Sequence, residues 1–261
     1  MMHLSAKKGL GQHFLMHRQT SERIVLAANV TERDTVLEIG PGTGVLTREL
    51  LAKAGKVYAV ETDAELIPRL EATFAEEIAS GKLVLIHIDV RKFDPSTIDG
   101  PYLLVANIPY YITGEIVRQF LTTTHKPSSM TLLVQKEVAE RVARSEKESL
   151  LSLSVKAYGT PKYEFTVPKG AFVPAPKVDS AVLSVRDITA TFQSPNQEAR
   201  FFAILRAGFA HKRKRLMKNL EAVAEKGDIQ EAFAAALLHE DIRPEDVPLA
   251  GWTALAESLK D

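Results

Sequence analysis

The chain has 261 residues, 45% of them hydrophobic, and its 33 basic and 33 acidic residues give a formal net charge of zero. It contains no cysteine, which excludes disulfides, thiolate zinc sites and cysteine nucleophiles. No apolar run approaches the roughly 20 residues that a membrane-spanning helix needs, and no apolar secretory segment is visible at the N-terminus, so we expect a cytoplasmic protein.

Strand-like and helix-like segments alternate through the first two-thirds of the chain, which predicts an α/β domain with a mostly parallel sheet. Apolar runs predict strands at residues 35–39, 56–60, 83–88, 103–106 and 130–135. Helix-like patterns lie at residues 20–28, 45–54, 64–79, 114–122, 137–143 and 149–158. Two alternating segments, residues 163–167 and 180–185, predict a final antiparallel pair.

The composition changes after Asp187. Residues 189–196 are polar and contain Pro195, which is typical of a linker. The remainder shows helical patterns and no convincing strand, with helices predicted at residues 197–209, 212–224, 229–238 and 252–259. We therefore predict a domain boundary near residue 190, with a small all-helical domain behind it.

Basic residues are concentrated in two places although the total charge is zero. Residues 199–220 contain no acid and seven bases, which are Arg200, Arg206, Lys212, Arg213, Lys214, Arg215 and Lys218. The N-terminal arm adds Lys7 and Lys8. Such local patches suit the phosphates of a polyanion. The alternative is that these side chains only coat the solvent face of an amphipathic helix.

A glycine loop follows the first predicted strand. Gly40, Gly42 and Gly44 alternate with other residues, and Glu38 precedes them by two. Glycines allow a sharp turn and a close approach of ligand to backbone. The nicotinamide fingerprint Gly-x-Gly-x-x-Gly would need its third glycine at position 45, which is Val45. The spacing favours a nucleoside without phosphates, S-adenosylmethionine (AdoMet), over NAD.

Two acids close the next two strands. Glu61 ends the second strand, where a carboxylate can accept hydrogen bonds from both ribose hydroxyls. Asp89 follows the third strand and can accept from an adenine amino group. Each acid has a structural alternative, because Glu61 can cap a helix or lie in solvent and Asp89 can cap the following turn. Their register at successive strand tips favours the cofactor site.

Asn107-Ile108-Pro109-Tyr110 follows the fourth predicted strand. In open α/β sheets this carboxyl end is where ligands bind. The Asn107 amide oxygen and the Pro109 carbonyl can accept hydrogen bonds from an exocyclic amine, and the Tyr110 ring can stack on a base. Alone, the four residues are also compatible with a strand that simply ends in a proline turn.

Further motifs complete a resemblance to a known family. The chain resembles the ribosomal RNA adenine N6-dimethyltransferases, and among them the small-subunit type that confers kasugamycin sensitivity in bacteria. The resemblance is carried by residues 9–15 (GLGQHFL), the glycine loop, Glu61, Asp89, residues 107–110, residues 170–180 (GAFVPAPKVDS) and residues 212–220 (KRKRLMKNL). The sequence departs from the family at His13, where Asn is common, and at Ala175, which interrupts a triple proline. The C-terminal domain is also short.

The resemblance implies a Rossmann-like class I AdoMet-dependent methyltransferase fold with a small all-helical C-terminal domain. Residues 1–189 would form the AdoMet-binding catalytic domain and residues 190–261 a helical RNA-recognition domain. The implied reaction is N6,N6-dimethylation of two adjacent adenosines near the 3′ end of 16S rRNA, without a metal and with a role in small-subunit biogenesis. The expected partner of this monomer is 16S rRNA or the immature small subunit.

The resemblance also assigns residues. The implied AdoMet contacts are His13, Leu15, Gly40, Gly42, Glu61, Asp89 and Asn107. The implied catalytic residues, in contact with the target adenine, are Asn107, Tyr110 and Phe172, with the base held between the two aromatic rings.

Three other functions compete with this interpretation. A large-subunit (23S) adenine methylase that gives macrolide resistance has the same glycine loop and Asn-x-Pro-Tyr element, and residues 172–180 and 212–220 favour the small-subunit type over it. A non-catalytic nucleic-acid-binding relative shares the scaffold, and the intact Asn107 and Glu61 argue against it. An NAD oxidoreductase is disfavoured by Val45.

Overall fold

The computed structural model describes residues 7, 11–189, 191–211 and 213–259. Lys8, Gly9, Leu10 and Lys212, which carry part of the predicted motifs, lie outside the described residues. The chain divides into two compact units. The first unit comprises residues 1–139 and 160–188, and the second unit comprises residues 140–159 and 189–261.

The first unit contains a seven-stranded sheet. Its strands are β2 (Thr35–Ile39), β3 (Lys56–Glu61), β4 (Leu83–His87), β5 (Tyr102–Asn107), β6 (Ser129–Gln135), β7 (Thr160–Val167) and β9 (Ser180–Arg186). Their order across the sheet is β4-β3-β2-β5-β6-β9-β7. Strands β2 to β6 pair in parallel, whereas β9 pairs antiparallel with both β6 and β7. The predicted α/β class and the final antiparallel pair are confirmed.

The strand order places the carboxyl ends of β2 and β5 side by side. From β2 the chain proceeds outward through β3 to β4, and it then returns to the other side of β2 as β5, with Ile39 opposite Ala106. Such a topological switch point opens a crevice between the two connections. The glycine loop after β2 and Asn107 at the end of β5 therefore meet at one place.

The helices of the first unit pack on a sheet whose centre is fully buried. They are α1 (Arg18–Ala27), α2 (Val45–Leu51), α3 (Ile67–Thr73), α4 (Ala75–Ala79), α5 (Thr113–Thr122) and the start of α6 (Lys136–Ala143). The single helix predicted over residues 64–79 is interrupted at Phe74, whose backbone leaves helical geometry (φ −119°, ψ 32°). Its ring is buried in the core, so burial of a large aromatic group accompanies the break.

A second, two-stranded sheet joins two distant segments of the first unit. Its strands, β1 (Phe14–Leu15) and β8 (Phe172–Val173), pair antiparallel, with Leu15 opposite Phe172. Neither strand was predicted, since two residues are too few to show a period of two. This pairing holds the chain near residue 15 against the segment that contains the family motif of residues 172–180.

The second unit is helical. It contains α7 (Leu150–Lys156), α8 (Pro195–Gly208), α9 (Leu216–Leu220), α10 (Lys226–Ala235) and α11 (Leu249–Ser258). Trp252 is 1% exposed and stacks on Phe209 at a centroid separation of 5.4 Å. Phe201 is also a buried core residue, whereas the neighbouring Phe202 is only partly buried. Within the described part of the chain, every helix is too short or too polar to span a membrane.

Candidate active site

A cleft opens where the carboxyl ends of β2, β3 and β5 meet. It is roofed by residues 11–15 and by the turn that follows β5. Eight predicted site residues line it, namely His13, Leu15, Gly40, Gly42, Glu61, Asp89, Asn107 and Tyr110. Phe172 is not among the lining residues. Sequence reasoning thus identified residues that the fold brings together from five separate segments.

The glycine loop has the backbone geometry that its composition indicates. Gly42 and Gly44 have φ values of 59° and 82°, a region that favours glycine. A Cβ on Gly44 would lie 2.6 Å from the Phe74 ring, and one on Gly42 would lie 3.1 Å from the Phe14 ring. The loop therefore packs against a buried ring below and the N-terminal segment above, and it has no room for side chains at these positions.

Glu61 ties the glycine loop to the end of β3. Its Oε2 accepts the Gly42 N–H at 3.1 Å, and its Oε1 accepts the N–H groups of Thr62 and Asp63, each at 2.8 Å. A carboxylate has about four lone-pair sites, so one site on Oε2 is left for a ligand hydroxyl. Burial raises the pKa of Glu61, although the three N–H groups oppose that shift.

Glu38 is a buried acid beneath the loop. It is 1% exposed, and neither carboxyl oxygen has a hydrogen-bond partner among the described residues. Burial raises the pKa of Glu38 to about 8, although the neighbouring Thr47 hydroxyl on α2 opposes that shift. The group is therefore largely protonated at neutral pH. Neither Glu38 nor Thr47 lines the cleft, so this acid does not face a ligand there.

Asp89 lines the cleft, but its carboxylate is engaged. It caps the turn at Val90–Lys92 by accepting the Arg91 N–H at 3.0 Å. The Arg91 guanidinium also binds it in a fork, with Nη2 2.5 Å from Oδ2 and Nε 3.0 Å from Oδ1. These hydrogen bonds lower the pKa of Asp89. The structural alternative for this residue is thus present, and the predicted adenine contact stays a prediction.

Asn107 ends β5 with its side chain half-buried in the cleft. Its Nδ2 donates a hydrogen bond to the main-chain carbonyl of His13 at 3.1 Å. A carbonyl can only accept, so the amide atom that faces it must be the NH2 group. The Asn107 Oδ1 consequently points elsewhere, and no described residue donates to it. The amide presents an acceptor at the tip of the strand.

Tyr110 lies in the turn after β5, next to the amide. Its hydroxyl hydrogen-bonds the buried Ser180 Oγ at 2.6 Å, and burial raises its pKa. Its ring stacks on the His13 imidazole with centroids 5.8 Å apart. The His13 Nδ1 lies 2.7 Å from the Pro174 carbonyl, so this nitrogen carries a proton. The Pro109 carbonyl accepts the Ile112 N–H at 3.1 Å and keeps one lone pair.

The structure does not place the Phe172 ring opposite Tyr110, as the predicted sandwich of a base would require. Phe172 is 2% exposed and belongs to the hydrophobic core of the first unit, where it pairs with Leu15 across the two-stranded sheet. The ring facing Tyr110 is His13 instead. The prediction that Phe172 lines the cleft is wrong for this structure. The ring lies in the core instead, because removing its apolar surface from water is favourable.

The N-terminal segment is fastened by residues that sequence reasoning missed. Asp63 accepts hydrogen bonds from Gln12 Nε2 at 2.8 Å and from Lys7 Nζ at 2.6 Å. Although burial pushes the pKa of Asp63 upward, these two bonds outweigh it and lower the pKa. Lys7 also lies 3.0 Å from Glu65. Lys7 therefore fastens the N-terminal segment, and its predicted contact with RNA phosphate stays a prediction.

The basic run in the second unit is partly neutralised. Arg215 pairs with Asp241 at 2.6 Å, and Lys218 pairs with Glu221 at 2.8 Å. The exposed side chains without an ion-pair partner among the described residues are Arg206, Arg213 and Lys214. No group of three or more His, Asp or Glu side chains in the described ranges is arranged to hold a metal ion.

The chain is similar to known proteins in sequence and in fold. A family model described as "Ribosomal RNA adenine dimethylase" matches residues 3–261. The Ribosomal RNA small subunit methyltransferase A of Dehalococcoides mccartyi is 45% identical over 240 residues, which is 90% of this chain and 80% of that protein. The protein of the same name from Lactococcus lactis is 35% identical over 265 residues, 97% of this chain and 90% of that one.

Two solved structures are also similar. The 23S rRNA methyltransferase ErmE is 26% identical with a TM-score of 0.75, and the match covers 94% of this chain and 99% of that chain. A dimethyladenosine transferase from Plasmodium falciparum is 24% identical with a TM-score of 0.77, covering 93% and 96%. The latter supports the fold alone. The predicted Rossmann-like class I methyltransferase fold with a helical C-terminal region is confirmed.

Proposed function

The chain belongs to the ribosomal RNA adenine dimethylase family, and on that premise we propose that it uses AdoMet to dimethylate the N6 atom of adenosines in 16S rRNA. The curated relatives that match over most of the chain are named small-subunit enzymes, whereas the 23S enzyme is only 26% identical. The 23S alternative is therefore not favoured. Membership of a methylase family also removes the NAD oxidoreductase.

The single observation that carries the chemistry is the fixed Asn107 amide. Its nitrogen is bound to the His13 carbonyl at 3.1 Å, which leaves its oxygen as an acceptor at the mouth of the cleft. The adenine N6 lone pair is delocalised into the ring and is a poor nucleophile. Hydrogen bonds from N6–H to the Asn107 oxygen and to the free lone pair of the Pro109 carbonyl would draw that nitrogen toward sp3 geometry.

AdoMet supplies a methyl group that the adjacent positive sulfur already activates, so no strong base is needed. The residues of the cleft then have to position the amine, and good alignment contributes roughly 7–11 kcal/mol to such a reaction. Tyr110, braced by Ser180, presents a ring face on which a base can stack for about 1–3 kcal/mol. A paired adenine must leave its helix to reach this ring.

We assign the cofactor to the cleft residues that fit it. The remaining lone pair of Glu61 accepts one ribose hydroxyl, and the backbone of Gly40 and Gly42 lets the nucleoside approach closely. A second hydroxyl contact to Glu61 would have to displace one of its three N–H partners. The Asp89 contact to the adenine amino group requires the Arg91 guanidinium to leave Oδ2.

The second unit is proposed to hold the RNA through the exposed cations that no described residue pairs. Arg206, Arg213 and Lys214 are exposed, and phosphate contacts by such side chains release counterions. The logarithm of the RNA affinity should therefore fall linearly with the logarithm of salt concentration. Residues 190–261 are assigned to RNA recognition, and the enzyme to a cytoplasmic monomer acting on the two adjacent adenosines near the 3′ end of an immature small subunit.

The test is mass spectrometry of nucleosides from purified small and large subunit RNA after incubation with labelled AdoMet. We expect N6,N6-dimethyladenosine in the small-subunit RNA only. Asn107→Ala should reduce transfer by about 10²–10³-fold, as loss of a pre-positioned hydrogen-bonding group does. Its AdoMet affinity should fall by less than tenfold, because one neutral hydrogen bond is worth about 1 kcal/mol. Wild-type transfer by this variant would contradict the assigned role.

A further inference from the structure

The N-terminal strap, defined as residues 11–16, contacts the reacting end of the cleft through one main-chain atom. The His13 carbonyl oxygen accepts the Asn107 Nδ2–H at 3.1 Å. An amide side chain has two orientations related by a 180° flip, and they exchange the positions of a donor and an acceptor. In the other orientation, the Asn107 amide oxygen would face the His13 carbonyl oxygen, and both atoms are acceptors. Only the observed flip leaves Oδ1 directed away from the strap.

The carbonyl itself is held in place from three directions. The His13 ring donates through Nδ1 to the Pro174 carbonyl at 2.7 Å and stacks on Tyr110. The next residues of the strap pair with Val173 and Phe172 in the two-stranded sheet. On the other side, Gln12 is bound to Asp63 at 2.8 Å. A group fixed at so many points cannot follow the amide if the amide turns, so it sets the orientation of Asn107.

We infer that the His13 main-chain carbonyl is a positioning group, which locks the Asn107 amide with its oxygen toward the target adenine amine only while the strap is in place. The inference deepens the proposed function and rests on it. It assigns the strap a role in the reacting geometry in addition to covering the cleft. Because a coupling between two elements is reciprocal, the same hydrogen bond also fastens the strap.

The test is the variant Asn107→Asp, which keeps the acceptor oxygen and replaces the NH2 donor with a second oxygen. When the carboxyl is ionised, it opposes the His13 carbonyl with an acceptor. When it is protonated, its O–H can donate to His13 while the other oxygen still accepts from the target amine. The variant should therefore regain turnover as the pH falls. At pH values above the pKa of a carboxyl, its protonated fraction increases about tenfold for each unit by which the pH falls.

Single-turnover methyl transfer to small-subunit RNA should be measured at saturating AdoMet between pH 6 and 8. Relative to wild type at each pH, we expect the N107D rate to rise by about 100-fold from pH 8 to pH 6. If the site needs only an acceptor, the ionised carboxyl serves equally well and the relative rate stays flat or falls. A relative change below about threefold, including transfer that is undetectable throughout, overturns the inference.

Gln119→Glu is the matched control, because Gln119 is an amide of the same unit that donates to a main-chain carbonyl, that of Val90, at 2.8 Å. Its pH profile should keep the wild-type shape. A recovery at low pH in this control as well would show a general effect of acid and would overturn the inference. Wild-type enzyme that transfers no methyl group to adenine refutes the proposed function itself, whatever the variants do.

Hydrogen exchange provides a readout that does not depend on turnover. The Met16 N–H is bound to the Ala171 carbonyl at 2.9 Å and reports on the strap. It should exchange faster in Asn107→Ala than in wild type, since the fastening bond is lost. In N107D the excess over wild type should be largest at pH 8 and should shrink toward pH 6. Exchange equal to wild type in both variants overturns the coupling between strap and amide.

Discussion

Replacing Glu61 by Gln tests whether one carboxylate both shapes the glycine loop and receives the cofactor. Glu61 accepts two N–H groups on Oε1 and the Gly42 N–H on Oε2. A glutamine has a single oxygen, and this oxygen can keep the two short bonds to Thr62 and Asp63. Its NH2 group would then face the Gly42 N–H, so that a donor opposes a donor. The bond that holds the glycine loop is lost.

The magnitude follows from the type of bond removed. A hydrogen bond to a charged group contributes about 1.5–3 kcal/mol. The neutral side chain also avoids part of the cost of burying a charge, the cost that raises the pKa of Glu61. We therefore expect a net loss of about 1–2 kcal/mol in unfolding free energy. A ligand hydroxyl on Oε2 would lose its charged acceptor as well. AdoMet affinity should fall by about 10–100-fold, since every 1.4 kcal/mol is tenfold.

Calorimetric titration with AdoMet and thermal unfolding measure the two effects separately. Glu65→Gln is the control, because the Glu65 side chain is 77% exposed and, among the described residues, its ion-pair partner is Lys7, at 3.0 Å. Such a surface ion pair contributes about 0–1 kcal/mol, so the control should bind AdoMet like wild type. If Glu61→Gln binds AdoMet within threefold of wild type, the ribose assignment of Glu61 is wrong. If its stability is also unchanged, the loop-shaping argument is wrong too.

Two further predictions concern the same loop. Gly44→Ala should lower the unfolding free energy by about 2–4 kcal/mol in chemical denaturation, since its Cβ would lie 2.6 Å from the buried Phe74 ring at a φ of 82°. Gly81→Ala, at a φ of 73° with open space around it, should show only the backbone cost of about 1–2 kcal/mol, and equal losses would exclude the clash. Because burial raises the pKa of Glu38 to about 8 from an ordinary value of about 4.5, the folded state holds this proton more tightly than the unfolded chain. The unfolding free energy should therefore fall as the pH rises from about 4.5 to about 8. In Glu38→Gln, the melting temperature measured from pH 5 to 8.5 should depend less on pH than in wild type. A wild-type melting temperature that rises across this range would contradict the buried-acid argument.

The position of the site could be predicted because it depends on strand order. Each parallel strand returns by way of a helix, so strand tips that follow alternating segments collect at one edge of the sheet. Strand order alone therefore predicts that Gly40, Glu61 and Asn107 lie at one site. The antiparallel end of the sheet was also predictable, since residues 163–167 and 180–185 alternate strongly.

The contacts that complete the site could not be predicted in the same way. The pairing of Leu15 with Phe172 joins two-residue strands across most of the first unit, and no period exists in so short a segment. Whether Phe172 lies in the core or in the cleft depends on which face of that short strand is buried. The hydrogen bond from Asn107 to the His13 carbonyl involves the main chain, whose direction at an irregular segment leaves no trace in residue types.

The membership of residues 140–159 in the second unit had no sequence signal either. The helical pattern of residues 149–158 precedes β7, so alternation of strands and helices favoured a place on the sheet. In the structure the Glu148 N–H donates to the Glu245 carbonyl at 2.7 Å, and Lys147 lies 3.3 Å from Asp246. These contacts join the segment to residues about a hundred positions away. A helix packs where its apolar face is buried, and chain order alone does not decide between two such places.

Asp89 shows why a residue with two plausible roles need not have only one. Its Oδ1 accepts the Arg91 main-chain N–H, and this bond orients the carboxylate toward the cleft whether or not a ligand is bound. The guanidinium that covers Oδ2 belongs to a side chain that is 52% exposed, and the Asp89 side chain is itself 28% exposed. An ion pair so open to solvent contributes about 1 kcal/mol or less, so an adenine amino group that is buried in the same step can displace it. The turn cap and the predicted adenine contact are therefore compatible, because capping uses the main-chain N–H while recognition needs only the oxygen that Arg91 covers.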